Sequence, residues 1–374
     1  MKQRQYAVII PVSLLVFALF VPSTLFDAKT TGEPLELYVG VSIAYAQFEA
    51  IQSFMDKVSN YTNIVVIGST GITYDIPLLN DACQYTYDKG LSFLVYTETG
   101  YYFTIDWLEY AKQSWGNKFL GFYAMDEVGG KQLDKTMWVS EAESYADASN
   151  KFVAALNYSL NRITRFQTDT VNYPTFTSDY VLYWFDYKTG YDTVFAEFGW
   201  NYSRQLNVAL CRGAASVHNK DWGVIITWTY NEPPYIESGE QLYDDMMLAY
   251  ENGAKYIIVF DSNENYTESI LRDEHLDAMQ QFWEYAQANP RTVGSASDRV
   301  AYILPKDYAY GFRGPQDKIW GLWEADAPSL EISQNIANLL RAYQTKLDII
   351  YDDQLNPDIY YRQYIYSNGT VYIP

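Results

Sequence analysis

The chain has 374 residues, 48% hydrophobic and 17% aromatic, with 26 Lys and Arg against 46 Asp and Glu for a formal net charge of −20. Such a length and apolar fraction suffice for a large buried core. The acidity argues against a nucleic-acid binder, because phosphate recognition needs dense Lys and Arg. The two cysteines, Cys83 and Cys211, are too few for a disulfide framework and are read as two buried thiols on separate helices.

The first element is a leader over residues 1–28. Lys2 and Arg4 precede the apolar run "YAVIIPVSLLVFALFV", the charged start and h-region of an export signal. Two readings stand: a cleaved signal peptide, or a retained N-terminal anchor that reaches a membrane span of about 20 residues only by including 22–26. Either puts the body outside the cell or on its surface, with association to membrane or envelope through the N-terminus. Acceptor sequons for N-glycosylation at Asn60, Asn157, Asn201, Asn265 and Asn368 agree with that location.

After the leader, short apolar and aromatic runs alternate with helical stretches. Strands are expected to start near Leu37, Asn63, Leu91, Phe119, Tyr180, Thr193, Trp222 and Lys255, with helices over 46–58, 76–89, 104–114, 136–157, 203–217, 239–252 and 270–287. The strand runs are continuously apolar rather than alternating, as in parallel sheets covered on both faces. Eight such units predict an α/β fold, a (β/α)8 TIM barrel over 36–290. Its fifth unit is irregular: "YVLYWF" at Tyr180 follows a long interval and precedes a very short one. The Thr-rich "RITRFQTDTVNYPTFTSD" just before it could hold a strand of its own. Residues 298–374 read as a strand, a helix over 328–344, a second strand and a hairpin around Asn368-Gly369, too small to stand alone and so expected to pack on the barrel.

No dinucleotide, phosphate-loop, zinc-protease or serine-hydrolase fingerprint occurs, and His218 and His275 are the only histidines. No cofactor is expected; for "DSNEN" at 261–265 an acidic surface loop is favoured over a calcium site. What recurs is a carboxylate at the C-terminal ends of strands, the end where barrel enzymes collect catalytic groups: Glu98, the pair Asp126-Glu127, Glu197, Glu232 and Asp261. Paired carboxyls without histidine suit glycosidic cleavage, where a protonated acid assists the leaving oxygen and an ionised partner attacks or activates water. Glu127 and Asp126 are the leading catalytic candidates, against a reading as acids stabilising a helix N-terminus, and Glu197 is the candidate partner acid. Tyr123, Trp184, Trp200, Trp228 and Tyr230 interleave with the acids. They are candidate platforms for sugar rings, with Glu98, Glu232 and Asp261 as candidate hydrogen-bonding partners of a carbohydrate.

The run 36–290 resembles the glycoside-hydrolase superfamily of (β/α)8 barrels, in particular exported archaeal barrel proteins of undefined specificity, through "GFYAMDEVGG" at the end of the fourth strand. The resemblance implies Glu127 as proton donor with Asp126 orienting or assisting. In barrels that use an Asp-Glu pair here for N-acetylated sugars, the aspartate holds the substrate's acetamido group. "NEP" at 231–233 follows the seventh counted strand, not the fourth, which departs from the two-glutamate barrels. Residues 298–353 resemble the opening unit of an amidotransferase-like domain, truncated and without a nucleophilic cysteine. Two functions follow: a surface glycoside hydrolase, or a noncatalytic barrel that binds glycans or serves in the envelope.

Overall fold

The computed structural model describes residues 36–291, 296–353 and 361–374; the leader over 1–28 lies outside the described residues. Eight parallel strands close into a barrel in chain order: β1 (Tyr38–Ile43), β2 (Ile64–Ile67), β3 (Ser92–Thr97), β4 (Phe119–Ala124), β5 (Thr175–Asp179), β6 (Thr193–Phe198), β7 (Asp221–Ile226) and β8 (Tyr256–Asp261), with β8 pairing back onto β1. The helices are α1 (Phe48–Val58), α2 (Thr70–Thr73), α3 (Ile76–Asp88), α4 (Ile105–Trp115), α5 (Val128–Lys135), α6 (Tyr145–Ile163), α7 (Tyr183–Thr189), α8 (Arg204–His218), α9 (Gly239–Glu251), α10 (Asp273–Ala288) and α11 (Ala327–Tyr343). Among the described residues no helix is long and apolar enough to cross a membrane.

Strand alternation splits the apolar residues into two cores. Ile64, Val66, Leu94, Tyr123, Phe176, Phe195, Ile225, Tyr256 and Ile258 point inward and fill the barrel, while Val65, Val95, Val194, Val224 and Val259 meet the surrounding helices. Helix starts follow their caps: Asp75, Thr104, Ser144, Ser203 and Asp326 each accept a backbone N–H from the first turn, and Ser238 forms a capping box with Gln241. Cys83 and Cys211 are both buried and free.

The irregular fifth unit is where the sequence expectation fails. Tyr180–Phe185 is not a strand. β5 lies just before it, within the Thr-rich stretch, and the "YWFDYKT" segment forms α7. This helix is buried on nearly every side, so it shows no polar face, and a short apolar run reads alike as buried strand or buried helix. The helix expected over 136–157 begins later, at the Ser144 cap, and runs to Ile163.

β9 (Val300–Leu304), β10 (Leu347–Tyr351), β11 (Gln363–Tyr366) and β12 (Val371–Tyr372) form a second sheet in the order β10-β9-β11-β12. It docks on α8 through the fully buried Asp348, which is paired with Arg212 at 2.7 Å and Arg299 at 2.7 Å. Arg212 also donates to the Thr345 and Leu347 carbonyls at 2.7 and 3.0 Å, which supplies its buried guanidinium with partners at the seam. The segment between β9 and α11 reaches α5: the buried Gln132 amide donates to the Trp320 carbonyl at 2.9 Å, and Arg313 pairs with Asp134 at 2.5 Å.

Candidate active site

The end of β4 is a strained turn. Met125 and Glu127 both have left-handed backbones, with φ of 63° and 50°, a conformation that costs about 1–3 kcal/mol per non-glycine residue and persists only when neighbours impose it. Here they do: Met125 N–H donates to the Thr97 carbonyl of β3 at 2.8 Å, and Glu127 N–H to the Ser178 carbonyl of β5 at 2.9 Å. Both flanking strands therefore hold the turn that presents Asp126 and Glu127.

The carboxyls meet around one hydroxyl. Ser178 Oγ donates at 2.7 Å toward Asp126 Oδ1 and lies 2.7 Å from Glu197 Oε1, while Tyr123 Oη bonds Ser178 Oγ and Asp126 Oδ1 at 2.8 Å each. The Asp126 and Glu197 oxygens are thus separated by no more than two short hydrogen bonds. Lys131, one turn into α5, donates to the Asp126 carbonyl at 2.8 Å and sits 3.9 Å from both the Asp126 and Glu127 carboxylates. These groups line a cavity of about 650 Å³ at the C-terminal mouth of the barrel, together with Glu98, Trp200 and Trp228, and with Tyr96 and Tyr266.

Electrostatics differentiate the acids. Burial, then the Asp126 charge, raises Glu127 to about 7, with Lys131 opposing. Glu197 is buried; burial first, then Glu127 and Asp126, hold it well above the usual carboxylate range, against the Ser178 hydrogen bond. Near neutrality the cavity therefore contains transferable protons beside Asp126, which accepts from Tyr123 and Ser178.

The remaining sequence candidates are placed elsewhere. Trp184 is buried on α7 against His218 and Tyr351, outside the cavity. Asp261 is fully buried and accepts from Ile270 N–H at 2.8 Å and Tyr45 Oη at 3.4 Å, which anchors the loop after β8. Burial raises it to about 6. Tyr230 and Glu232 line a separate, open recess that shares only Trp200 with the cavity. The five sequon asparagines are all exposed, although Asn157 lies within α6 and donates to the Thr189 carbonyl at 3.0 Å. In the 261–265 loop Asn263 is tied to Thr267 and Glu268, and among the described residues no group of His, Cys, Asp and Glu is arranged to hold a metal ion.

Sequence reasoning missed Ser178, Lys131, Tyr96 and Tyr266. Lys131 had a signal, since a lysine four residues after Glu127 on a helix faces it. Ser178 had one only for a reader who ended the fifth strand at Asp179.

No protein-family model and no curated protein matches the chain. Among solved structures, GH5_18 from Streptomyces cattleya in complex with GlcNAc is similar at 10% identity and a TM-score of 0.55, over 86% of this chain and 94% of that one. A GH5_18 variant from Bifidobacterium longum subsp. longum in complex with Manb1-4GlcNAc is similar at 10% identity and a TM-score of 0.51, over 90% and 97%. At that identity the likeness is one of architecture: the chain shares the closed (β/α)8 barrel fold of these proteins.

Proposed function

We propose that the protein is an exported glycoside hydrolase that cleaves oligo- or polysaccharide by carboxyl acid–base chemistry. The observation that carries this reading is the convergence of Asp126, Glu127 and Glu197 in one open, aromatic-walled cavity, where burial and the Asp126 charge push Glu127 up to about 7. A general acid is most effective when its pKa lies near the working pH. Glu127 gives its proton to the glycosidic oxygen as the C1–O bond breaks, and the alcohol departs. Positive charge develops on the ring as that bond breaks, beside Asp126, which Tyr123 and Ser178 fix; water then adds to C1 and passes its proton to the Glu127 carboxylate, which restores the acid. Asp126 also fits the role of holding an acetamido N–H, which makes N-acetylated sugars the first substrates to try.

A buried carboxyl kept protonated is a poor nucleophile, so Glu197 acts on Asp126 through their shared serine. Trp200, Trp228, Tyr123 and Tyr266 offer flat faces and hydroxyls for the sugar. The leader pattern and the exposed sequons support an extracellular or surface location, and the amidotransferase-like ancestry of the C-terminal unit belongs to the same proposal.

The test is a screen of the protein on aryl glycosides, N-acetylhexosaminides included, and on oligosaccharides, followed by Glu127→Gln on any hit. The variant keeps shape but lacks the transferable proton, so the rate on a poor leaving group falls about 10²- to 10⁴-fold. The loss is smaller on an activated aryl glycoside, and binding survives. Equal rates for both forms remove Glu127 from the mechanism. A wild type that binds glycans and hydrolyses none favours the noncatalytic reading.

A further inference from the structure

We propose that Asp179 is the positioning residue for the Asp126-Glu127 turn. The inference rests on the hydrolase reading for its meaning but on geometry for its evidence. Asp179 ends β5 and is fully buried. Its carboxylate accepts four backbone N–H groups: Gly129 at 2.6 Å, Gly130 at 3.0 Å, Tyr180 at 2.7 Å and Val181 at 3.3 Å. The first two are the unpaired amides that open α5. The N-cap of α5 is Glu127 itself, whose side chain makes no capping bond. The cap is supplied from the neighbouring strand, which leaves the Glu127 carboxyl free for the cavity.

One dipeptide thus aligns the whole turn. The Ser178 carbonyl receives Glu127 N–H, the Ser178 hydroxyl fixes Asp126, and Asp179 fixes the start of α5. Steric evidence agrees: a Cβ at Gly129 would lie 2.3 Å from Asp179 Oδ2, and one at Gly130 2.0 Å from the Tyr180 ring. Gly129 is what lets the carboxylate approach the backbone, and Gly130 makes room for the Tyr180 ring.

Asp186 lies on α7, fully buried, and no group around it donates to either of its oxygens. Burial first, then the Asp179 charge, holds it well above the usual carboxylate range. Asp179 is raised to about 6 by burial, with Asp186 and the Tyr180, Gly129 and Gly130 amides opposing. Tyr183 on α7, Tyr191 before β6 and Cys211 on α8 also feel both acids, and Glu197 on β6 feels Asp179. Glu127 in turn is faced by Asp126 from β4, Lys131 and Lys135 from α5, Asp179 from β5 and Glu197 from β6.

Two readouts that need no substrate test the proposal: the ¹³C carboxyl titration of Glu127, assigned by difference from E127Q, and hydrogen exchange at the Gly129 and Gly130 amides. Asp179→Asn removes a negative neighbour and turns an amide N–H toward at least one backbone donor. Glu127 should then titrate at lower pH than in the wild type, and the two glycine amides should exchange at least about 10-fold faster. On any hydrolysed glycoside kcat should fall about 10- to 100-fold with little change in KM. Gly129→Ala, whose Cβ would crowd Asp179 Oδ2, should also speed exchange at the first turn of α5, and it decides the matter if Asp179→Asn fails to fold. A folded Asp179→Asn with unchanged titration and exchange overturns the proposal, as does a Gly129→Ala variant that exchanges like the wild type. If both readouts respond as stated while no glycoside is cleaved, positioning stands and the hydrolase reading fails.

Discussion

Removing Lys131, the cation of the cavity, should extend the enzyme's activity toward alkaline pH. Its Nζ lies 3.9 Å from the Glu127 carboxylate and favours the ionised form. At that distance two unit charges interact by about 4 kcal/mol at an effective dielectric of 20. Both side chains are about a third exposed, at 27% and 35%, and partly exposed pairs keep only about 1 kcal/mol after screening. That is a little under one pKa unit, at about 1.4 kcal/mol per unit. In Lys131→Met, Glu127 should therefore hold its proton to a pH almost one unit higher, and the alkaline limb of kcat/KM against pH should move up by that amount. The height of the profile should fall, because the 2.8 Å bond from Lys131 to the Asp126 carbonyl is lost and the turn loosens. Position and height report different things. A limb that stays fixed or moves down, with the variant folded, would refute Glu127 as the titrating acid.

Stability should also depend on the site acids. Glu127 and Glu197 bind protons more tightly folded than unfolded, so their contribution is complete below the ordinary value of about 4.5 and is lost as pH rises through 7 and above; Tm should fall from pH 5 to pH 8, and Glu197→Gln should flatten that slope. Ser178→Ala should cost about 1–3 kcal/mol by leaving buried partners unpaired, readable by urea unfolding, and should push Glu197 higher still, because the serine bond opposes its rise. Gly130→Ala should destabilise by about 1–3 kcal/mol through overpacking against Tyr180; a neutral result would mean that the first turn of α5 shifts freely.

Seven of the eight barrel strands were legible because continuous apolar runs between capped amphipathic helices have few other interpretations. The fifth was not. β5 reads "TFTSD", short and polar, and it is buried only because Ser178 and Asp179 find partners in the turn after β4. Those partners are remote in sequence, so no local pattern announces them. The same blindness hid the site's hub: Asp126, Glu127 and Glu197 stood out as acids at strand ends, but a serine in a Thr-rich stretch carries no signal until the strands are paired. Asp261 attracted attention as an acid at a strand end and Trp184 as an aromatic beside the acids, and their burial shows how such side chains also serve as loop anchors and as packing.

The contact between the C-terminal unit and α5 has a consequence for synthesis. Gln132 is buried with its amide on the Trp320 and Val139 carbonyls, and Trp320 packs on Phe152 of α6 and Phe185 of α7. When the eighth barrel strand leaves the ribosome, the residues that finish this patch are still untranslated. The nascent barrel therefore emerges with an apolar flank open beside the helix that follows Glu127. Until residue 320 arrives, Gln132 lacks one of its two carbonyl partners and Phe152 and Phe185 lack the indole that covers them.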